Sequence, residues 1–197
     1  MGACAQSTAT TEENNENTIQ SEPVKPESDT GDSKTECKIC DFDFDSYKGE
    51  LKKKEIEGLL LALNDEYMAT AIYAGVNEKF DNPRPFVNIV EAEKRHTKRL
   101  VEIFNKYELP VPENEWLGKA PGYESVLNAC KAGIDAEIEN KKLYDRIFDS
   151  TEKEDILTVY KALQRASEQN HKPAFERCVN RGGNGMGRGR GGRRGRN

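Results

Sequence analysis

The sequence predicts an all-α protein: a four-helix bundle of two antiparallel helical hairpins joined by one long crossover, with disordered tails at both ends. Three observations carry this. Apolar residues recur at helical spacing through four segments between residues 46 and 180. Short polar breaks separate the first segment from the second and the third from the fourth, whereas a long irregular stretch with three prolines divides the middle pair. Finally, the chain turns to Ser, Thr, Glu, Asn and Pro before residue 46, and to Gly, Arg and Asn after residue 180.

Residues 1–45 have few side chains able to form a core, so they read as a disordered, acidic leader. Gly2-Ala3-Cys4 resembles the end of a lipoprotein signal, with a polar tether following the lipid-bearing cysteine. The expected location is therefore the cell envelope if a signal was removed before Cys4, and the cytoplasm otherwise. No apolar run approaches the length of a membrane span. The net charge of −5 divides into an acidic leader, a mixed-charge domain and a basic tail, and so excludes little about partners.

Residues 46–180 form the domain. The first helix is expected from about Lys48 to Phe80, with Leu59, Leu63, Thr70 and Tyr73 on one stripe. Asp81-Asn82-Pro83-Arg84-Pro85 stops it, because two prolines in a polar turn cannot continue a helix. The second helix runs from about Phe86 to Tyr107, carrying Ile89, Val90, Leu100, Ile103 and Phe104 inward.

Glu108 to Gly122, if extended, reaches about 45–50 Å, whereas the second helix is about 33 Å long. The connection can span the whole bundle, which makes the helices on either side of it parallel. Two hairpins joined in this way form the single-crossover type of four-helix bundle. The third helix is expected from about Tyr123 to Phe148, and Thr151-Glu152-Lys153-Glu154 reads as a capping box opening the fourth. Pro173, inside that last helix, should remove a hydrogen bond to the Gln169 carbonyl and bend the helix.

Charged residues lie on the inward stripes, where they are costly unless paired. Glu66 is in register with Leu59, Leu63 and Tyr73, and Glu137 with Cys130, Gly133 and Tyr144. The only two histidines each follow a glutamate by three residues, in Glu93-Lys94-Arg95-His96 and Glu168-Gln169-Asn170-His171. Positions three apart share a helix face, so each pair can aim a carboxylate and an imidazole at one point. The halves also repeat: each of Glu66 and Glu137 is followed seven residues on by a tyrosine, and then by Glu-x-x-His on the next helix. Folded about a pseudo-twofold axis, four carboxylates and two imidazoles meet at one centre and suit a pair of first-row divalent metals, iron or manganese. Zinc is less natural without thiolates near that centre. Tyr73 and Tyr144 read as core residues rather than partners of the site.

The order Glu66, Glu93-x-x-His96, Glu137, Glu168-x-x-His171 resembles the ferritin and rubrerythrin superfamily of di-iron carboxylate proteins. The stretches Asn64-Asp65-Glu66-Tyr67, Arg84-Pro85-Phe86, Glu91-Ala92-Glu93-Lys94-Arg95-His96, Glu137-Ile138-Glu139-Asn140 and His171-Lys172-Pro173-Ala174-Phe175 are similar to a prokaryotic ferritin-like family known as domain of unknown function 2202. The resemblance covers about residues 50–180. It implies Glu66, Glu93, His96, Glu137, Glu168 and His171 as metal ligands, with Glu93 and Glu168 bridging and the others mainly terminal. Two departures stand out. Asn140 occupies the place of an additional glutamate of the rubrerythrin-like proteins, which counts against their peroxide-reducing chemistry. Cys37-Lys38-Ile39-Cys40 is one Cys pair where a rubredoxin module has two, so no complete built-in electron carrier is present.

Five cysteines, an odd number, do not form a disulfide framework. Cys37 and Cys40 are open to half a metal site, a redox disulfide or idle thiols, with idle or structural favoured. Cys130 and Cys178 read as buried apolar fillers. The tail holds six arginines in residues 181–197 and can neutralise phosphates of a polyanion, although it offers no aromatic for stacking.

Two functions are therefore expected. The first is a two-iron (or manganese) centre that oxidises ferrous iron or reduces dioxygen or peroxide, fed by an external electron donor. The second is a non-catalytic binding or structural module whose Arg/Gly tail contacts a polyanion. A homodimer is compatible with either, and the long tails disfavour a closed cage.

Overall fold

The structure is a computed structural model that describes residues 37–184 except residue 120. The leader before residue 37, with Cys4, and the tail beyond residue 184 lie outside the described residues. The described chain is helical: α1 (Lys53–Lys79), α2 (Phe86–Lys106), α3 (Val126–Ile147), a 3-10 turn (Phe148–Ser150), α4 (Glu154–Ala166), a π turn (Ser167–His171) and α5 (Lys172–Asn180). Because α4, the π turn and α5 follow without a break, the architecture is a bundle of four helical columns, as the periodicity predicts. None of the described helices is long and apolar enough to cross a membrane.

Two apolar cores at opposite ends of the bundle establish the directions of the helices. One joins the start of α1 (Ile56, Leu59, Leu63), the end of α2 (Leu100, Phe104), the end of α3 (Tyr144, Ile147) and the start of α4 (Ile156, Tyr160). The other joins Tyr73 and Val76 of α1, Phe86 and Ile89 of α2, Cys130 of α3 and Phe175 of α5. Each hairpin is thus antiparallel, and α2 and α3 run parallel. The crossover runs beside α1: Trp116 Nε1 donates to Asn64 Oδ1 (2.8 Å) and Tyr67 donates to the Pro112 carbonyl (3.1 Å).

Several boundaries move. The first helix opens at Lys53 rather than near Lys48, because Glu55 folds back to accept from the Lys52 N–H at 2.7 Å. Thr151 does not cap α4, whose N-cap is Lys153; its hydroxyl instead donates to the buried Glu55 at 2.6 Å. Residues 37–45, read as leader, pack on the bundle through the buried Ile39.

The cysteines differ from expectation too. Cys130 on α3 and Cys178 on α5 form a disulfide rather than serving as separate fillers, whereas the disulfide between Cys37 and Cys40 is one of the alternatives left open for that pair. A helical bundle hid the first pair from the spacing argument, since 48 residues separate partners that only helix packing brings together. At the same end, Gly133 gives Phe175 room: a Cβ there would lie 2.9 Å from the ring.

Candidate metal centre

Between the two apolar cores, the inward stripes change from hydrocarbon to carboxylate and imidazole. Glu66 (α1), Glu93 (α2) and Glu137 (α3) are 3%, 4% and 4% exposed, and His171, closing the π turn, is 5% exposed. His96 is the outermost member, with its side chain 13% exposed. Burial of this much charge is tolerable only if the groups satisfy one another, and they do.

Glu93 is the hub. Its Oε2 lies 2.8 Å from His96 Nδ1 and its Oε1 3.0 Å from His171 Nδ1. The outer carboxylates flank this axis: Glu66 Oε2 is 3.4 Å from His96 Nδ1, and Glu137 Oε1 is 3.6 Å from His171 Nδ1. The two imidazoles stack, with centroids 5.4 Å apart. Tyr73 donates to Glu137 and Tyr144 donates to Glu66, each at 3.1 Å. The tyrosines expected only to fill the core thus also hold the carboxylates, each reaching from one hairpin to the other.

Glu168 does not join the cluster. It is exposed, whereas the preceding residue, Ser167, is buried and donates to Glu137 Oε2 at 2.5 Å. The physical reason is the π turn, in which the Lys172 N–H reaches back to the Ser167 carbonyl. A wider turn aligns His171 with the residue four before it, not three, so the i,i+3 rule that works for Glu93 and His96 fails here. Pro173, which has no N–H to give Gln169, was the visible sign of a perturbed helix. The sequence did not reveal which way the wider turn would rotate Glu168.

Protons hold this cluster together. Burial would depress both histidines, but their hydrogen bonds to the carboxylates prevail: Glu66 and Glu93 lift His96 to about 9, and Glu137 and Glu93 lift His171 to about 10. Burial would raise Glu93, yet bonds from His171 and His96 bring it down to about 2. Glu66 goes the other way, to about 8, through burial and the neighbouring Glu93 charge. Asp65, unnoticed in sequence as a site residue, is raised to about 7, chiefly by burial, and accepts from Asn140 Nδ2 at 2.6 Å.

The donors fit a divalent metal. Ligand atoms of Glu93, His96 and His171 lie within 4.8 Å of one another. Carboxylate oxygen and imidazole nitrogen suit first-row divalent ions, and a metal bound by such donors displaces their protons. A cavity of about 170 Å³ between α1 and α3 ends on Glu66, Glu93 and Glu137, with Met68, Ala69 and Ile72 in its walls.

Comparison with known proteins agrees with the helical architecture. The chain is 30% identical over 150 residues to the uncharacterised protein MJ0754 of Methanocaldococcus jannaschii, covering 68% of this chain and 79% of that protein. The crystal structure of hypothetical protein MJ0754 from Methanococcus jannaschii superposes with a TM-score of 0.61 at 25% identity, covering 71% of this chain and 87% of that one. A model of the uncharacterised protein domain DUF2202 matches residues 55–187, a span that takes in every member of the buried cluster, and the chain belongs to that family.

Proposed function

We propose that this protein is a ferritin-like oxidoreductase with a dinuclear iron or manganese centre. Glu66 and His96 would hold one metal, Glu137 and His171 the other, and Glu93 both. The observation that carries this reading is the position of Glu93, whose two oxygens each engage a different histidine. When bound, such a metal pair supplies electrons for the reduction of dioxygen or peroxide, and an external donor is needed to restore them.

The chain's own residues prepare that chemistry. Tyr73, Tyr144 and Ser167 orient Glu137 and Glu66 through hydrogen bonds, as outer partners of metal ligands commonly do. The apolar cores on either side keep bulk water from the buried carboxylates. The α1–α3 cavity admits a molecule of the size of dioxygen or peroxide, with Asp65 and Asn140 among its lining. Asp65, raised to about 7, is suited to pass a proton near neutral pH.

The test is metal content by mass spectrometry after anaerobic reconstitution with ferrous iron, on protein purified without a metal-affinity tag. About two irons per chain, oxidised by air or peroxide, are expected. Absence of tightly held metal with intact helices overturns the reading.

A second reading, a polyanion-binding module, has one observation in its favour. Arg84, Arg177 and Arg181 line a cleft of about 250 Å³ where the Arg/Gly tail begins. Loss of polyanion binding on deleting residues 185–197, with metal uptake absent, would support it instead.

A further inference from the structure

Ion pairing in this protein is divided by residue type. Among the described residues, the ion pairs are made by lysines and histidines, and no guanidinium lies within bonding distance of a carboxylate. Six of the seven arginines between residues 37 and 184 instead line two clefts, three in each. One of these, of about 280 Å³ between α2 and α4, gathers Arg95, Arg99 and Arg165 around His96 and Asn170. Arginine remains charged at any accessible pH, so three such groups facing one cleft repel one another without relief from the protein.

The cleft is also kept open. From α4 it is lined by Ala162 and Ala166, where longer side chains would fill it. The His96 imidazole, with Nδ1 engaged by Glu93, forms part of its wall. It lies on the α2–α4 side of the bundle, away from the α1–α3 cavity that reaches the same centre. We propose that Arg95, Arg99 and Arg165, with Asn170, form a binding site for a tetrahedral oxyanion of the phosphate class, seated against His96. Guanidinium forks match such oxyanions bidentately, and the amide of Asn170 adds a further donor. This site goes beyond the metal reading and does not require it, since the arginines and the cleft belong to the metal-free protein.

The protein's two histidines make the test site-specific. Inorganic phosphate is titrated into the metal-free full-length chain at constant pH and ionic strength, while imidazole resonances are followed by NMR. Saturable shifts of the His96 signals are expected, with the more buried His171 moving little. R95Q/R165Q should weaken binding at least tenfold, given the strength of charge-assisted hydrogen bonds. R95K/R165K, which keeps the charge but loses the fork, should fall between that variant and the wild type. R146Q, at the exposed arginine that lines neither cleft, should bind as the wild type does. All three positions at the His96 cleft are exposed, and circular dichroism verifies that the variants fold. Glycerol phosphate, titrated in parallel, distinguishes free phosphate from the phosphoryl group of a larger molecule: tighter binding of one identifies the source. A His96 signal unmoved at saturating phosphate overturns the proposal, as does R95Q/R165Q binding with wild-type affinity.

Discussion

The Tyr73 hydroxyl donates to Glu137 at 3.1 Å, carrying a hydrogen bond from α1 to α3, and Tyr144 returns the same bond from α3 to Glu66. Each tyrosine follows one glutamate by seven residues but serves the other. The repeat in the sequence is therefore a reciprocal exchange in space, and it ties the two hairpins together at the centre.

Removing one hydroxyl should loosen the carboxylate it holds while leaving the ring in the core. Tyr73→Phe and Tyr144→Phe are each expected to cost about 1 kcal/mol of stability and about 10–100-fold in metal affinity. Urea unfolding and competitive metal titration read the two effects separately. Wild-type affinity in both variants would show that the tyrosines only fill space.

Glu93 and Glu168 occupy equivalent places in the sequence repeat but opposite environments, one buried and one exposed. Glu93→Gln should abolish tight metal uptake, whereas Glu168→Gln should leave metal content unchanged and shift stability by no more than about 0.5 kcal/mol. Metal analysis of the two purified variants decides it. Equal losses would mean that Glu168 swings inward when metal binds.

The metal-free protein should lose stability as pH rises. His96 and His171 hold protons in the folded state up to about 9 and about 10, above their unfolded value of 6.5. Their contribution is complete below pH 6.5 and is lost as pH climbs through those values. Glu66, raised to about 8, adds loss of the same sign between its ordinary 4.5 and that value. Glu93, lowered to about 2, contributes above 4.5 and fails only in strong acid. Thermal melts of the metal-free chain from pH 5 to pH 10 should therefore fall steadily. The stabilisation conferred by added metal should grow over the same range, because metal replaces those protons.

The Cys130–Cys178 bridge joins α3 to α5 behind the centre. Cys130→Ala/Cys178→Ala should destabilise the domain by about 2–5 kcal/mol, since the closed loop is long. Denaturant unfolding of the double variant beside the wild type, with and without reductant, measures this. Reductant should affect the wild type far more than the variant.

The sequence by itself determined the helices, their hairpin pairing, the long crossover and five of the six residues it assigned to the centre. Glu66, Glu93, His96, Glu137 and His171 could be read because an α-helix converts spacing into direction, and a charge on an apolar stripe has few reasons to be there. Tertiary structure alone decided the rest. Glu168 turned outward because one π turn changed the angle per residue, which no spacing rule anticipates. Ser167, Asp65 and the Cys130–Cys178 bridge took their places through contacts between helices distant in the chain. The arginine clefts have the same origin: Arg95 and Arg165 are 70 residues apart, and only the packing of α2 on α4 makes them neighbours. Direction along a helix is a local property, whereas which faces meet is a property of the whole bundle.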